Sequence, residues 1–330
     1  RYDRNYTVSH QLSTNAMLDF RFYKDLHLEV TAGVMYYGGN TSSLTNMYYG
    51  DAAGLGRIAK GQQNYLSFES KQLLKYNKII GEHTIDVMAG HESHLTSNSV
   101  MSGNKSKIAD PAGLELGNAI QTTSTSSYTS QIALESWIAQ ANYWYNERYG
   151  ITANYRADGS SKFAKKHRWG HFGSVGFAWK FTNEDFAKSA SRYLKDGKLR
   201  LSWGMLGNQN IGSDVYHDMY DIQYVDGMLG FVWNYKGNPD ITWEKASQVD
   251  VGVDFSLGKW VDFELDYFYK LTANCLLQKY TAPSIGYGGY WINGGKLQNQ
   301  GFEFQVRAHA VDTRNVKLDI RWNGGFYRNM

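Results

Sequence analysis

The sequence predicts an all-β fold, a transmembrane antiparallel β-barrel, on three observations. Apolar and polar residues alternate with a period of two through about twelve segments. The connections between those segments are short and long in turn. There is no run of about 18 apolar residues, so no helix of the chain is suited to cross a membrane, whereas a barrel strand shows only every second side chain to lipid.

Each segment carries the pattern in its own residues. Segment 12–23 sets Leu18, Phe20 and Phe22 against Asp19 and Arg21, and 27–37 lines up Leu28, Val30, Ala32, Val34 and Tyr36. Segments 64–77 and 83–95 follow, the second with Ile85, Val87 and Ala89 against Asp86. Next come 131–145 (Trp137, Ala139, Ala141, Tyr143, Tyr145), 149–156 (Tyr149, Ile151, Ala153, Tyr155) and 171–181 (Val175, Phe177, Trp179, Phe181). Segment 197–205 opposes Leu199, Leu201 and Trp203 to Lys198, Arg200 and Ser202. Segment 246–255 opposes Val249, Val251, Val253 and Phe255 to Asp250 and Asp254. The pattern is plainest in 259–271, KWVDFELDYFYKL, where Val261, Phe263, Leu265 and Tyr267 alternate with Asp262, Glu264 and Asp266. Its parity continues through Leu271, Ala273, Cys275 and Leu277. At about 3.3 Å per residue that is far more than a tilted span requires, so part of the strand should project beyond the bilayer. Segments 300–310 (Phe302, Phe304, Val306, Ala308) and 316–327 (Leu318, Ile320, Trp322) complete the series.

The connections 24–26, 77–82, 146–149, 256–259 and 311–315 are short, and 182–196 is a longer member of the same set with room for a helical turn. Between them lie long stretches at 38–63, 96–130, 157–170, 206–242 and 281–291. Short turns at one rim and long loops at the other mark an outer-membrane barrel. A surface-anchored or secreted all-β adhesion or carbohydrate-binding protein, the alternative, has no reason to sort its loops this way.

Composition agrees. Glycine (34), tyrosine (25) and tryptophan (10) are abundant, proline (3) is scarce, and Tyr and Trp suit a membrane–water boundary. A net charge of +3 without a basic stripe gives no argument for nucleic acid. The single cysteine, Cys275, excludes an intrachain disulfide and reads as a small packing or lipid-side residue. The chain opens on RYDRNYTVSH and stops at GGFYRNM, inside or just past an alternating run, so both ends read as cuts within a longer protein, residues 1–330 being one partial barrel domain.

Four stretches go further: YRADGSSKF (155–163), LRLSWGMLGNQNIG (199–212), NPDITWEKASQVDVGVDFSL (238–257) and NGGKLQNQGFEFQV (293–306). In wording and order they resemble the SusC/RagA family of TonB-dependent outer-membrane transporters of Bacteroidetes. The resemblance covers about the last two thirds of the chain by motif and the rest by pattern. It implies a 22-stranded barrel, of which this chain holds about twelve strands and neither the plug domain nor the TonB-box segment. It further implies energised import of oligosaccharides or peptides and no enzymatic activity. The implied partners are a SusD-like surface lipoprotein as lid, TonB through a region outside this chain, and the bilayer itself. Dimers of transporter–lipoprotein pairs are a further implication. A siderophore receptor of the same architecture would lack the four motifs. No cofactor is expected.

Arg156, Asp158 and Ser160 read first as a tight loop in which Gly159 supplies a positive φ and Asp158 bonds the backbone, not as a ligand site. NPDITWE reads as a strand entry with Trp243 at an interface, and NGGKLQNQG as turn and strand-entry chemistry. His91 and His94, three apart on a strand, point to opposite faces and share no metal; no nucleophile–base pair stands out. The loop aromatics Tyr216, Tyr220, Tyr224, Trp233, Tyr235, Tyr287 and Trp291, with Phe231 and Tyr290, are candidates for contact with substrate or lid protein, or for packing among themselves. Finally, antiparallel pairing of the last three segments is expected to set Glu264 beside Arg307, Asp262 beside His309, and Arg307 beside Asp319. That would form a lumen charge network of Asp262, Glu264, Arg307 and Asp319 with Arg307 between carboxylates. The register can slip by two residues but not by one, which would reverse every face.

Overall fold

The computed structural model describes residues 2–330. Its strands are β1 (Arg4–Tyr23), β2 (Leu26–Thr45), β3 (Arg57–Ile80), β4 (His83–Ile108), β5 (Ala119–Tyr145), β6 (Tyr149–Ser160) and β7 (Trp169–Trp179). They continue as β8 (Leu194–Asn208), β9 (Met219–Val225), β10 (Met228–Tyr235), β11 (Glu244–Leu257), β12 (Val261–Tyr280), β13 (Gly289–Asp312) and β14 (Lys317–Asn329). Twelve of them form one sheet in chain order, with β8 next to β11; β9 and β10 pair only with each other. The expected number of sheet strands is therefore found, and β9–β10 lies inside the stretch 206–242 read as loop. Its signal was present: Asp226 and Gly227 both have positive φ, as a two-residue hairpin turn requires.

The alternation of residues becomes an alternation of faces. Ile151, Phe177, Leu201, Val251, Tyr267, Phe302 and Phe326 stand side by side across β6, β7, β8, β11, β12, β13 and β14. The adjacent row, on the other face, is Thr152, Gly176, Ser202, Asp250, Phe268, Gly301 and Tyr327. The apolar row is bare: Leu201 is 49% and Val251 42% exposed. An apolar surface of this extent marks contact with lipid or another apolar body.

Short connections close as expected. Asn146 and Glu147 both take positive φ and Arg148 N donates to Tyr145 O at 2.9 Å, a two-residue hairpin joining β5 to β6. The longer connection after β7 holds the anticipated helical turns, Phe181–Asn183 and Asp185–Ala190. Glu184 between them accepts hydrogen bonds from Tyr149 Oη and, at 3.1 Å, Trp179 Nε1. Those donors hold its carboxyl below the usual range.

Several strands run well past their apolar stretches: β3 has 24 residues, β4 26 and β5 27. Their additional lengths lack alternation because polar groups occupy both faces. Thr129 Oγ1 donates to Ser99 Oγ (3.1 Å), Asn104 to Ser124 (2.8 Å) and Gln63 to Asn98 (2.9 Å). Arg1–Leu18, Val30–Lys71 and Glu92–Leu134 make one compact unit, in which Leu44, Ile58, Ile108 and Ala119 form a small buried core. Asp19–Glu29, Gln72–His91 and Glu135–Met330 make the second, whose most buried apolar side chains include Phe163, Ile241 and Trp243.

The two faces meet different solvents, and substitutions should report it. An arginine on the apolar face near mid-bilayer costs roughly 2–4 kcal/mol, so Val251→Arg and Leu265→Arg should lower the yield of assembled barrel in the outer membrane. Asp250→Arg and Glu264→Arg should assemble nearly normally. A fluorophore at position 251 or 265 should be quenched by a quencher confined to acyl chains, and one at 250 or 264 should not. Equal quenching at both parities would refute the assignment of faces.

Candidate functional site

The charged face is organised by one arginine. Arg200 (β8), Gly252 (β11) and Asp266 (β12) lie in one row. The Arg200 guanidinium donates to Asp254 at 2.6–3.1 Å, and its Nη2 passes over Gly252 to reach Asp266 at 2.9 Å. A Cβ on Gly252 would fall 2.2 Å from Asp266 Oδ1 and 2.8 Å from Arg200 Nη2. The glycine is thus the gap through which one cation bridges carboxylates on two strands, and Lys198 adds a bond to Asp254 at 3.2 Å. Asp250, Asp266, Lys270 and Glu303 line a cleft of about 570 Å³ on this face. The alternation of 197–205 puts Arg200 on the polar face but gives it no bridging role; the signal for that role is the glycine interrupting the polar parity of VDVGVD.

The anticipated lumen network is corrected in part: the expected contact of Asp262 with His309 forms, but the registers and the place of Arg307 differ. β12 and β13 pair with Asp262 opposite Arg307 and Glu264 opposite Gln305, two residues from the expected register. The turn is centred earlier, since Tyr280 pairs with Gly289. β13 and β14 are likewise shifted: Arg307 faces Arg321, and His309 faces Asp319. A bulge between His309 and Val311 helps set this register. Faces are unchanged, as a slip of two requires. The residue between two carboxylates is therefore His309: Nδ1 lies 2.7 Å from Asp319 and Nε2 3.0 Å from Asp262. Arg307 makes no ion pair among the described residues, and Glu264 meets neither Arg307 nor His309.

At the long-loop end, the four motifs pack together. Trp243 is 3% exposed, not at an interface as expected, because Phe163 (tilted, 5.1 Å) and Phe172 (edge-on, 5.4 Å) pack around it. Its Nε1 donates to Arg168 O at 3.0 Å. Gly159 does not take a positive φ; it is strand, opposite Trp169, whose ring would lie 2.9 Å from any Cβ there. Arg156 pairs with Asp158 (2.6 Å) and Ser136 (2.9 Å). The NGGKLQNQG stretch is interior to β13, and Asn293 clamps the 238–242 loop by accepting from Thr242 N and donating to Thr242 O, each at 2.8 Å. Lys162 donates to Gln209 O at 3.3 Å, and burial holds its ammonium below its usual range.

The loop aromatics assemble in part. Tyr220 stacks on Trp233 (6.0 Å, 9°), Trp233 meets Tyr287 edge-on (5.4 Å), and Tyr287 meets Tyr290 (6.3 Å). Lys236 Nζ sits 5.5 Å from the rings of both Tyr287 and Tyr290. Tyr235 Oη accepts from Trp291 N at 3.1 Å, and burial raises the tyrosine's pKa. Tyr216 packs on His217 (4.1 Å) instead, and Tyr224, 75% exposed, stands at the hairpin end. His91 contacts Gln72 and Glu135, whereas His94 contacts Glu69, so the two do not converge. Cys275 lies opposite Gly294, half-buried, on the apolar parity.

The family model described as TonB dependent receptor-like, beta-barrel matches residues 1–329. The TonB-dependent receptor SusC of Bacteroides thetaiotaomicron is 30% identical over 323 residues, which span 92% of this chain and 31% of that protein. The TonB-dependent receptor P39 of Formosa agariphila is 27% identical over 298 residues, 88% of this chain and 28% of that protein. Among solved structures, the RagAB peptide transporter superposes with a TM-score of 0.92 at 22% identity, covering 99% of this chain and 37% of its own. The chain spans about a third of the length of these relatives.

Trp243→Ala should cost about 3–5 kcal/mol through the cavity it leaves, read as a lower temperature for loss of the heat-resistant folded band. Gly252→Val should separate Arg200 from Asp266. A stability equal to wild type would show that the bridge contributes nothing.

Proposed function

Because the chain belongs to the TonB dependent receptor-like β-barrel family, we propose that it forms part of the barrel of an energised importer in the bacterial outer membrane. The observation that carries this reading is the sheet with one bare apolar face and one charged face, bearing short turns on one side and packed loops on the other. RagAB is a peptide transporter, which supports peptides as one cargo class, and oligosaccharides are the other. A SusD-like lipoprotein resting on the long loops is the proposed lid. TonB acts on a part of the receptor outside this chain.

Within this reading the aromatics divide. Trp233 and Tyr287 are committed to holding the β9–β10 hairpin against the 281–288 loop, and Tyr224 is free to touch cargo or lid. The charged face, with its ion pairs and its cleft, suits a hydrated lumen in which polar cargo or plug surface is matched by fixed charge. A surface adhesion protein would leave the row from Ile151 to Phe326 facing water.

Cells lacking the full-length receptor should lose uptake of one of the two cargo classes, and re-expression should restore it. Dissipating the proton-motive force should abolish uptake while the barrel stays assembled. Uptake that persists without the force would refute energised import. Tyr224→Ala should weaken cargo capture or lipoprotein co-purification several-fold without lowering barrel yield; Trp233→Ala should disturb the hairpin first.

A further inference from the structure

We propose that Lys245 and Lys296 form a binding site for a lipid-linked phosphate at the long-loop edge of the apolar face, with Ala273 as its floor. The site rests on the membrane reading above. Three observations carry it.

The first is sign. Through the paired residues of β8 and β11–β14, every carboxylate falls on the charged face: Asp196, Glu244, Asp250, Asp254, Asp262, Glu264, Asp266, Glu303 and Asp319 share its parity, and Asp312, past the bulge at His309–Val311, pairs with Lys317 of that parity. The charged side chains of apolar parity on these strands are all cations, Lys245, Lys279, Lys296 and Arg328. The second is position. Lys245 pairs with Ala273, and Ala273 pairs with Lys296, so the two lysines occupy one row with a methyl group between them. Two strand spacings separate their backbones by about 10 Å, within which two flexible side chains can converge over Ala273 on one anion. Both lysines are exposed, and neither has a hydrogen-bond or ion-pair partner among the described residues. The third is depth. From Leu257 to Lys245, β11 runs about 40 Å along the strand, or about 28 Å of membrane depth at a 45° tilt. The outward apolar band of such barrels is about 25 Å tall. The lysines therefore stand just beyond the acyl chains, at the level of headgroups. Below them Trp203 donates its Nε1 to Ser247 at 3.0 Å, an aromatic of the boundary kind.

A solitary lysine above an apolar strand merely extends its stem towards water. Two lysines without a side-chain partner among the described residues, flanking an alanine where β8 and β11–β14 carry no carboxylate of that parity, instead present like charges that an anion reconciles. A phosphate takes charge-assisted hydrogen bonds from both, and acyl chains attached to it continue down the apolar row.

The test uses the full-length receptor in detergent, titrated with bisphosphorylated lipid A and followed by native mass spectrometry. The double variant Lys245→Gln/Lys296→Gln should bind roughly thirtyfold more weakly. Lys245→Arg/Lys296→Arg should retain binding. Lys165→Gln, at an exposed cation of the β6–β7 loop, should bind as wild type. Dephosphorylated lipid A should bind no better than it does to the double variant, and inorganic phosphate should not displace the lipid. Wild-type affinity in the double variant overturns the site, as does equal weakening by Lys165→Gln, equal binding of dephosphorylated lipid, or displacement by free phosphate. A receptor that inserts in the membrane yet ignores lipid A sinks the phosphate site alone. A receptor that never inserts sinks the membrane reading with it.

Discussion

Everything in this sheet depends on one constraint: backbone hydrogen bonds must be made between strands while side chains face two different solvents. In hydrocarbon an unpaired N–H or C=O has no water to turn to, so each strand is bound to its neighbours along its span. A period of two then assigns every residue to one face. This couples pairing to polarity, since a slip of one residue would present Asp262, Glu264 and Asp266 to lipid. The strength of that coupling explains why the apolar row crosses seven strands without interruption. It also explains why the charged face can hold so many carboxylates: they cost little where water reaches them and where Arg200 or His309 bridges them.

The same constraint sets what could be read in advance. The existence, parity and face of the twelve sheet strands within their apolar spans followed from alternation, because a membrane strand cannot relax its pattern in the span, whereas the β9–β10 hairpin and the end of β6 at Gly159 were not legible in that way. Register was less legible. Both errors, at β12–β13 and β13–β14, are slips of two, to which polarity is blind. They were decided by the turn after Tyr280 and by the bulge at His309–Val311. That is why the residue between two carboxylates is His309, between Asp262 and Asp319, and not Arg307 between Glu264 and Asp319. The long extensions of β3, β4 and β5 were invisible for the opposite reason: hydroxyl and amide ladders with polar groups on both faces leave no period to detect.

The loop end obeys different rules. There the sequence advertises aromatics, but their fates diverge according to neighbours far along the chain. Trp243 is buried because Phe163 and Phe172, each more than seventy residues earlier, close around it. Trp233 is held by Tyr220 across its hairpin and by Tyr287 from another loop. Tyr224 has no such partner among the described residues and stays exposed. Composition marks such residues as a class, and only tertiary packing separates anchors from contact surface. The motif residues turned out to be the fasteners of this region, with Asn293 tying β13 to the 238–242 loop and Gly159 clearing space for Trp169.

Glycine and alanine do comparable work on both faces by leaving room. Gly252 opens the gap through which Arg200 reaches a second strand, which makes three strands share one cation. Ala273, on the opposite face and farther along the same pair of strands, separates two lysines that have no side-chain partner among the described residues. The contrast is one of sign. On the charged face a small residue lies under a cation already matched by two carboxylates, so the charge is neutralised internally and serves the wall. On the apolar face no carboxylate has the parity to reach Lys245 or Lys296. Alternation forbids the acidic residues of β11 and β12 from turning towards them, and the match for those charges has to come from outside the sheet.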